Sequence, residues 1–162
     1  EKTKFMLKKY LMIFLVSMVP IVELRGAIPI SQGFQLPLLQ SYIICVIGNM
    51  LPVPIIYLFA RRVLEWGKDK NTLVSFLPSV LKSHKGGQKL KEKAGNGLFI
   101  ALLLFVGIPV PGTGAWTGTL AASFLDMGFK KSVLAVLGGV LLAGIVMGAA
   151  SAGLFSALFA VF

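Results

Sequence analysis

Charge is scarce in this chain. Of 162 residues only 14% are Asp, Glu, Lys or Arg, against roughly a quarter in ordinary soluble domains. A water-soluble domain of this size needs polar side chains over a large surface. Too few are present, which excludes a soluble enzyme and a disordered tail. Acidic residues are scarcer still, six against sixteen basic ones. The single cysteine, Cys45, can form no intrachain disulfide, so a secreted disulfide scaffold is excluded. It lies in an apolar run and reads as a small buried hydrophobe. The single histidine, His84, sits among lysines with no Cys, Asp or Glu at metal spacing, which gives no zinc site. No Ser-His-Asp set, phosphate loop, nucleotide fingerprint or HExxH occurs, so nothing points to an enzyme or implies a cofactor.

What the chain does contain is apolar sequence. Hydrophobic residues make up 56% and the mean hydropathy is +0.85. These values predict an all-α integral membrane protein. The net charge of +10 could suggest nucleic acid, but that needs a basic soluble face. Here most Lys and Arg sit at the edges of apolar runs, where they serve orientation and contact with anionic headgroups.

Four windows carry no charge: Tyr10 to Val22 with 13 residues, Gly26 to Ala60 with 35, Ala94 to Leu125 with 32 and Ser132 to Phe162 with 31. A simple membrane helix needs about 20. The first window is too short and the others too long. Extra length interrupted by Pro and Gly predicts re-entrant or discontinuous helices. The Lys-rich N-terminus precedes no small-residue cleavage pattern and reads as an uncleaved membrane segment.

Two breaks stand out. One runs from Val19 and Pro20 through Glu23, Arg25 and Gly26 to Pro29. The other runs from Gly107 through Pro109, Pro111, Gly112, Thr113, Gly114, Trp116 and Thr117 to Gly118. Proline removes a donor and clashes with the preceding turn, so a straight helix is not expected at either. Both lie inside apolar sequence, where irregular backbone must be buried in protein or face a wet cavity.

The breaks also resemble each other. Pro20 and Pro109 lie 89 apart, and Cys45-Val46-Ile47-Gly48-Asn49 matches Ala135-Val136-Leu137-Gly138-Gly139 at an offset of 90. This predicts an internal duplication: two inverted repeats, each a broken, re-entrant helical hairpin plus a transmembrane helix. Repeat one covers about 5–60 and repeat two about 97–150, with a helix end over 151–162. The intervening 61–96 carries nine basic and three acidic residues, which assigns it to the cytoplasm. Its apolar and basic residues around Leu73 to Lys89 read as a surface helix interrupted near Pro78. The N-terminal lysines compete for the same side, so dual insertion stays open.

Glu23 and Arg25 are the outstanding pair, because an ionisable group at membrane depth is normally paired or functional. Arg offers a planar fork of donors for phosphate or carboxylate. Glu can exchange a proton or receive a cation. A salt bridge that merely holds the turn is the structural alternative. The second break offers backbone amides, the hydroxyls of Thr113, Thr117 and Thr119, and the Trp116 indole. A half-helix starting near Gly114 would aim its positive end at an anion; Gly114 and Gly118 would also permit close helix packing. Asn49, near Pro52 and Pro54, is a candidate cavity residue. Asp126 reads as an interfacial partner for Lys130. Gly144 and Gly148 form a second close-packing pair.

Together, Val19 to Pro29, Gly48-Asn49, Leu51-Pro52-Val53-Pro54 and Ile108 to Gly118 resemble the putative small multidrug export protein family over nearly the whole chain. The resemblance implies a multi-pass transporter of the bacterial inner membrane. It is similar, more distantly, to the DedA superfamily and related lipid-carrier transporters, some of which move undecaprenyl phosphate through paired re-entrant hairpins. By motif position Glu23 and Arg25 would be the functional pair, facing Pro109 to Gly118. The leading expectation is translocation of an amphipathic or anionic lipid such as a polyprenyl phosphate, with membrane lipids as partners and a homodimer as the assembly. The alternatives are proton-coupled export of cationic drugs through Glu23, and a non-transporting membrane scaffold.

Overall fold

The computed structural model describes residues 1–68, 96–110 and 112–161. All regular structure among them is helical. The helices are α1 (Lys2–Met18), α2 (Glu23–Gly33), α3 (Leu38–Met50), α4 (Pro52–Lys68), α5 (Gly97–Gly107), α6 (Ala115–Phe124) and α7 (Phe129–Val161). Two stretches are long and apolar enough to cross a membrane: Leu38–Trp66, which joins α3 and α4, and Phe129–Leu158 in α7. The expected surface helix and His84 lie outside the described residues.

Helix ends follow the prolines. Val19 and Ile108 each precede proline, and this disfavours helical ψ. Both accordingly turn extended, at ψ 131° and 122°, ending α1 and α5. Pro52 and Pro54 lack the N–H groups that would bond back across Leu51, so a seam there divides α3 from α4 while the helical direction continues. Pro29 departs from expectation. It lies inside α2, and the first break shrinks to Val19–Val22. The helix tolerates Pro29 because it starts only at Glu23; the one carbonyl robbed of a donor is that of Arg25 in the first turn. A second departure concerns Arg61, where charge suggested a boundary. The helix runs on through Arg62 to Lys68. Lys, Arg and Glu are good helix formers, so charge there marks a change of solvent, not a helix end.

The path doubles back twice. Lys9 of α1 donates from Nζ to the Phe34 carbonyl beyond α2 at 3.1 Å, and Tyr10 bonds to Gln40 of α3. The end of α2 therefore lies beside the early part of α1. In the second part, Arg61 of α4 pairs with Asp126 beyond α6 at 2.7 Å, and the Tyr57 and Phe129 rings meet edge to face at 5.6 Å. The long stretches run antiparallel: Tyr57 lies by Phe129, and Tyr42 donates to the Leu141 carbonyl at 3.0 Å.

The same local arrangements recur. After α2, Gln35 takes φ 56°, and Leu36 N–H returns to Ser31. After α6, Asp126 takes φ 52°, and Met127 N–H returns to Ala122. Both are Schellman turns, with Leu36 and Met127 buried under them. Gly48 lets α3 approach the Phe14 carbonyl of α1, 2.8 Å from where a Cβ would stand. Gly139 lets α7 approach the Leu103 carbonyl of α5, at 2.7 Å. In this contact Gly48 resembles Gly139, whereas the sequence match pairs it with Gly138. The second break is longer than the first, so the offset changes across it, and a single-offset match slips by one.

Gly144 receives Tyr42 and Leu24, and Gly148 receives Leu38, so both serve contacts inside the chain. The core joins all the helices except their outer faces: Ile13, Leu24, Ala27, Ile28, Val106, Ala115, Val136 and Val140 are almost fully buried. Large apolar residues such as Ile21, Leu39, Ile55, Phe59 and Ile145 stay exposed, the reverse of a soluble surface and suited to lipid.

Candidate functional site

A helix end in a medium without water leaves orphan backbone groups that protein must satisfy. At the place where the two breaks meet, four helix ends converge. The charged pair of the first break resolves the second.

Glu23 opens α2 at φ 51°, a left-handed conformation uncommon outside Gly, Asn and Asp. Its side chain is buried, with 4% exposure. The carboxylate accepts from the Ala115 N–H at 3.3 Å and the Trp116 N–H at 3.2 Å. These are the first two residues of α6, so the carboxylate caps the positive end of that helix. Gly114 makes room for it: a Cβ there would stand 2.7 Å from the carboxyl carbon of Glu23.

Arg25 does the opposite work at the other side of the break. Its Nη2 donates to the Val106 and Ile108 carbonyls, each at 3.0 Å, at the negative end of α5. Nη1 donates to the Val110 carbonyl at 2.6 Å and to the Thr113 carbonyl. The Thr113 hydroxyl also accepts from Nη2 at 3.0 Å and lies 2.9 Å from the Ile108 carbonyl and 2.8 Å from that of Val110, either of which it can donate to. The loop thus wraps a guanidinium. A planar fork of five donors suits this role as an ammonium would not.

The second break reciprocates once. Trp116 Nε1 donates to the Met18 carbonyl at 3.2 Å and so caps the end of α1. Each break therefore helps terminate a helix of the other.

These residues border a cavity of about 620 Å³ lined by Pro20, Ile21, Val22, Glu23, Arg25, Gly26, Pro109, Val110, Gly112, Thr113, Trp116, Thr117, Leu120 and Met147. Of the residues singled out from sequence, nine line it. Gly114 lies behind Glu23. Gly118 packs against Val106, and α6 begins early enough to make Trp116, Thr117 and Gly118 helical. Pro29 is inside α2. Asn49 is buried in α3 away from the lining, its Oδ1 without a partner among the described residues. Pro111 lies outside the described residues. Sequence reasoning missed Ile21, Val22, Val110, Leu120 and Met147. The four near the breaks are ordinary apolar residues, and Met147 comes from α7 with no local signal at all.

Asp126, expected to serve Lys130, holds Arg61, a partner that no helical spacing could reveal. Among the described residues no group of His, Cys, Asp and Glu could hold a metal ion.

Long apolar helices, lipid-suited outer faces and a polar site enclosed between broken helices define a helical membrane protein. Residues 23–146 match the family described as Putative small multi-drug export protein, and the chain belongs to that family. The family is one of export proteins and not of enzymes. No curated protein and no solved structure matches the chain.

Proposed function

We propose that this chain exports an amphipathic anion, a lipid phosphate such as a polyprenyl phosphate, across the bacterial inner membrane through the crevice between the two breaks. The observation that carries the reading is that an anion already occupies the positive end of α6, and it is the protein's own Glu23. Arg25 stands at the same crevice. Protonation of Glu23 would release the Ala115 and Trp116 amides. A phosphate could then take the place of the carboxylate and draw Arg25 from its carbonyls. Ile21, Val110, Leu120 and Met147 offer an apolar wall for the rest of the substrate.

Alternating access would follow from two inverted repeats built on re-entrant pairs. The contacts of Lys9 with Phe34 and of Arg61 with Asp126, on helices that double back, support this. So do the antiparallel long helices and the recurring turns at Gln35 and Asp126. We extend the reading to a homodimer, to be read by cross-linking in membranes.

The test is transport in liposomes together with lipid mass spectrometry on gently purified protein. Arg25→Ala should abolish movement of a polyprenyl phosphate, and wild-type protein should retain one. Wild-type-like transport by Arg25→Ala would remove the phosphate reading. A second reading takes organic cations, favoured by Glu23 being the one carboxylate among the described residues on the crevice wall. In that case Glu23→Gln erases drug resistance in a sensitive host while no lipid phosphate co-purifies. A membrane scaffold would move neither.

A further inference from the structure

A second cavity, of about 690 Å³, lies against α4 between Tyr57 and Glu65. Its walls include Tyr57, Arg61, Arg62, Glu65, Asp126 and Phe129. It stands where the stretch Leu38–Trp66 ends and the stretch Phe129–Leu158 begins. Both stretches change here from apolar to charged, which is the level of lipid headgroups.

The site is built, not merely charged. The Tyr57 and Phe129 rings meet edge to face at an interplanar angle of 71° and fix the floor. Asp126 holds the Arg61 guanidinium at 2.7 Å, each side chain 30% exposed. That pair is neutral. Arg62 on the wall is exposed, and so are Lys130 and Lys131, which follow Phe129 on α7 just outside it; among the described residues Glu65 is the one acidic side chain of the wall besides Asp126. The wall itself sums to zero, and the two neighbouring lysines make the surroundings positive among the described residues. Below the charged rim the surface is apolar and open: Ile55, Leu58 and Phe59 on α4 and Leu134 on α7 are each about half exposed or more.

A positive rim above an apolar wall, on a concave surface at the membrane edge, matches one kind of ligand. We infer that this crevice binds an anionic phospholipid, with its phosphodiester on Arg62 and the α7 lysines and its acyl chains along α4 and α7. A free phosphate would use the rim and leave the wall idle. A zwitterionic lipid would bring its own cation to a positive rim. A bound lipid would tie the end of α4 to the turn between α6 and α7, bracing the second break from its far side. This site shares no residue with the export crevice and does not rest on that reading.

The experiment is native mass spectrometry of the full chain in detergent mixed with equal phosphatidylglycerol and phosphatidylcholine. Wild type should retain phosphatidylglycerol selectively. Arg62→Gln combined with Lys130→Gln and Lys131→Gln should weaken retention by about tenfold. Lys2→Gln with Lys4→Gln, at the other basic end, should leave it unchanged. Equal retention of the two lipids overturns the inference. So does retention unchanged by the Arg62, Lys130 and Lys131 substitutions, which would place the lipid elsewhere on the chain, and so does displacement by millimolar inorganic phosphate. Surface substitutions at Arg62, Lys130 and Lys131 leave the core intact, and an unchanged gel-filtration profile checks this.

Discussion

Glu23 and Gly114 share one space. The carboxyl carbon of Glu23 lies 2.7 Å from where a side chain on Gly114 would begin, so the glutamate can be present only because the glycine is bare. A side chain that crowds this point must push the carboxylate off the Ala115 and Trp116 amides. Gly114→Ala should therefore cost about 1–3 kcal/mol, as overpacking does, and reduce export. Thermal unfolding in detergent and a liposome assay would read both effects. A fully stable, fully active Gly114→Ala protein would contradict the fit described here.

Arg25→Lys should fare almost as badly as Arg25→Ala. One ammonium cannot reach the Val106, Ile108, Val110 and Thr113 acceptors at once. Loss of the part-buried contacts, to Val106 and Thr113, leaves carbonyls unpaired, at about 1–3 kcal/mol for each unsatisfied group. The expected result is a lower melting temperature and faster proteolysis at the loop 108–113.

The glycines divide into two classes by what faces them. Gly48→Leu and Gly139→Leu should each destabilise by several kcal/mol, because backbone oxygens of α1 and α5 stand at 2.8 and 2.7 Å from the added Cβ; this is overpacking beyond the usual ~1–3 kcal/mol. Gly153→Ala meets nothing within 4 Å and should be neutral or slightly stabilising through helix propensity. Comparing three melting curves decides it.

Asp126 carries two separable burdens, an ion pair with Arg61 and a left-handed backbone. Half-open ion pairs contribute at most about 1 kcal/mol. Asp126→Gly keeps the backbone at φ 52° at ease and should lose only that. Asp126→Val adds the strain of a β-branched residue in the left-handed region and should lose about 1–2 kcal/mol more. If the two variants melt together, the turn does not depend on this geometry.

Much of this is legible in the sequence. Uncharged windows of the wrong length announced broken helices, and the prolines at 20 and 109 marked where. The glycines point to a helix starting near Gly114, and α6 starts at Ala115. What was hidden were distances across the chain. Glu23 and Arg25 stand out as a pair, yet nothing in their spacing says that one addresses the start of α6 and the other the end of α5. Asp126 has Lys130 four residues on, and only the fold brings Arg61 to it. Met147 lines the crevice from within a helix whose pattern is apolar on every side. Pro29 misleads for the opposite reason: it lies inside α2, and the carbonyl it deprives of a donor is that of Arg25 in the first turn.

A ribosome delivers Glu23 and Arg25 long before it delivers residues 106–116. Until then a full negative and a full positive charge have no backbone to close on, and the nascent first half is stranded at the bilayer with both. The chain must therefore be held by the insertion machinery, or kept near the water, until its last third emerges. Shortened products ending before Gly107 should be recognised as unfinished and degraded.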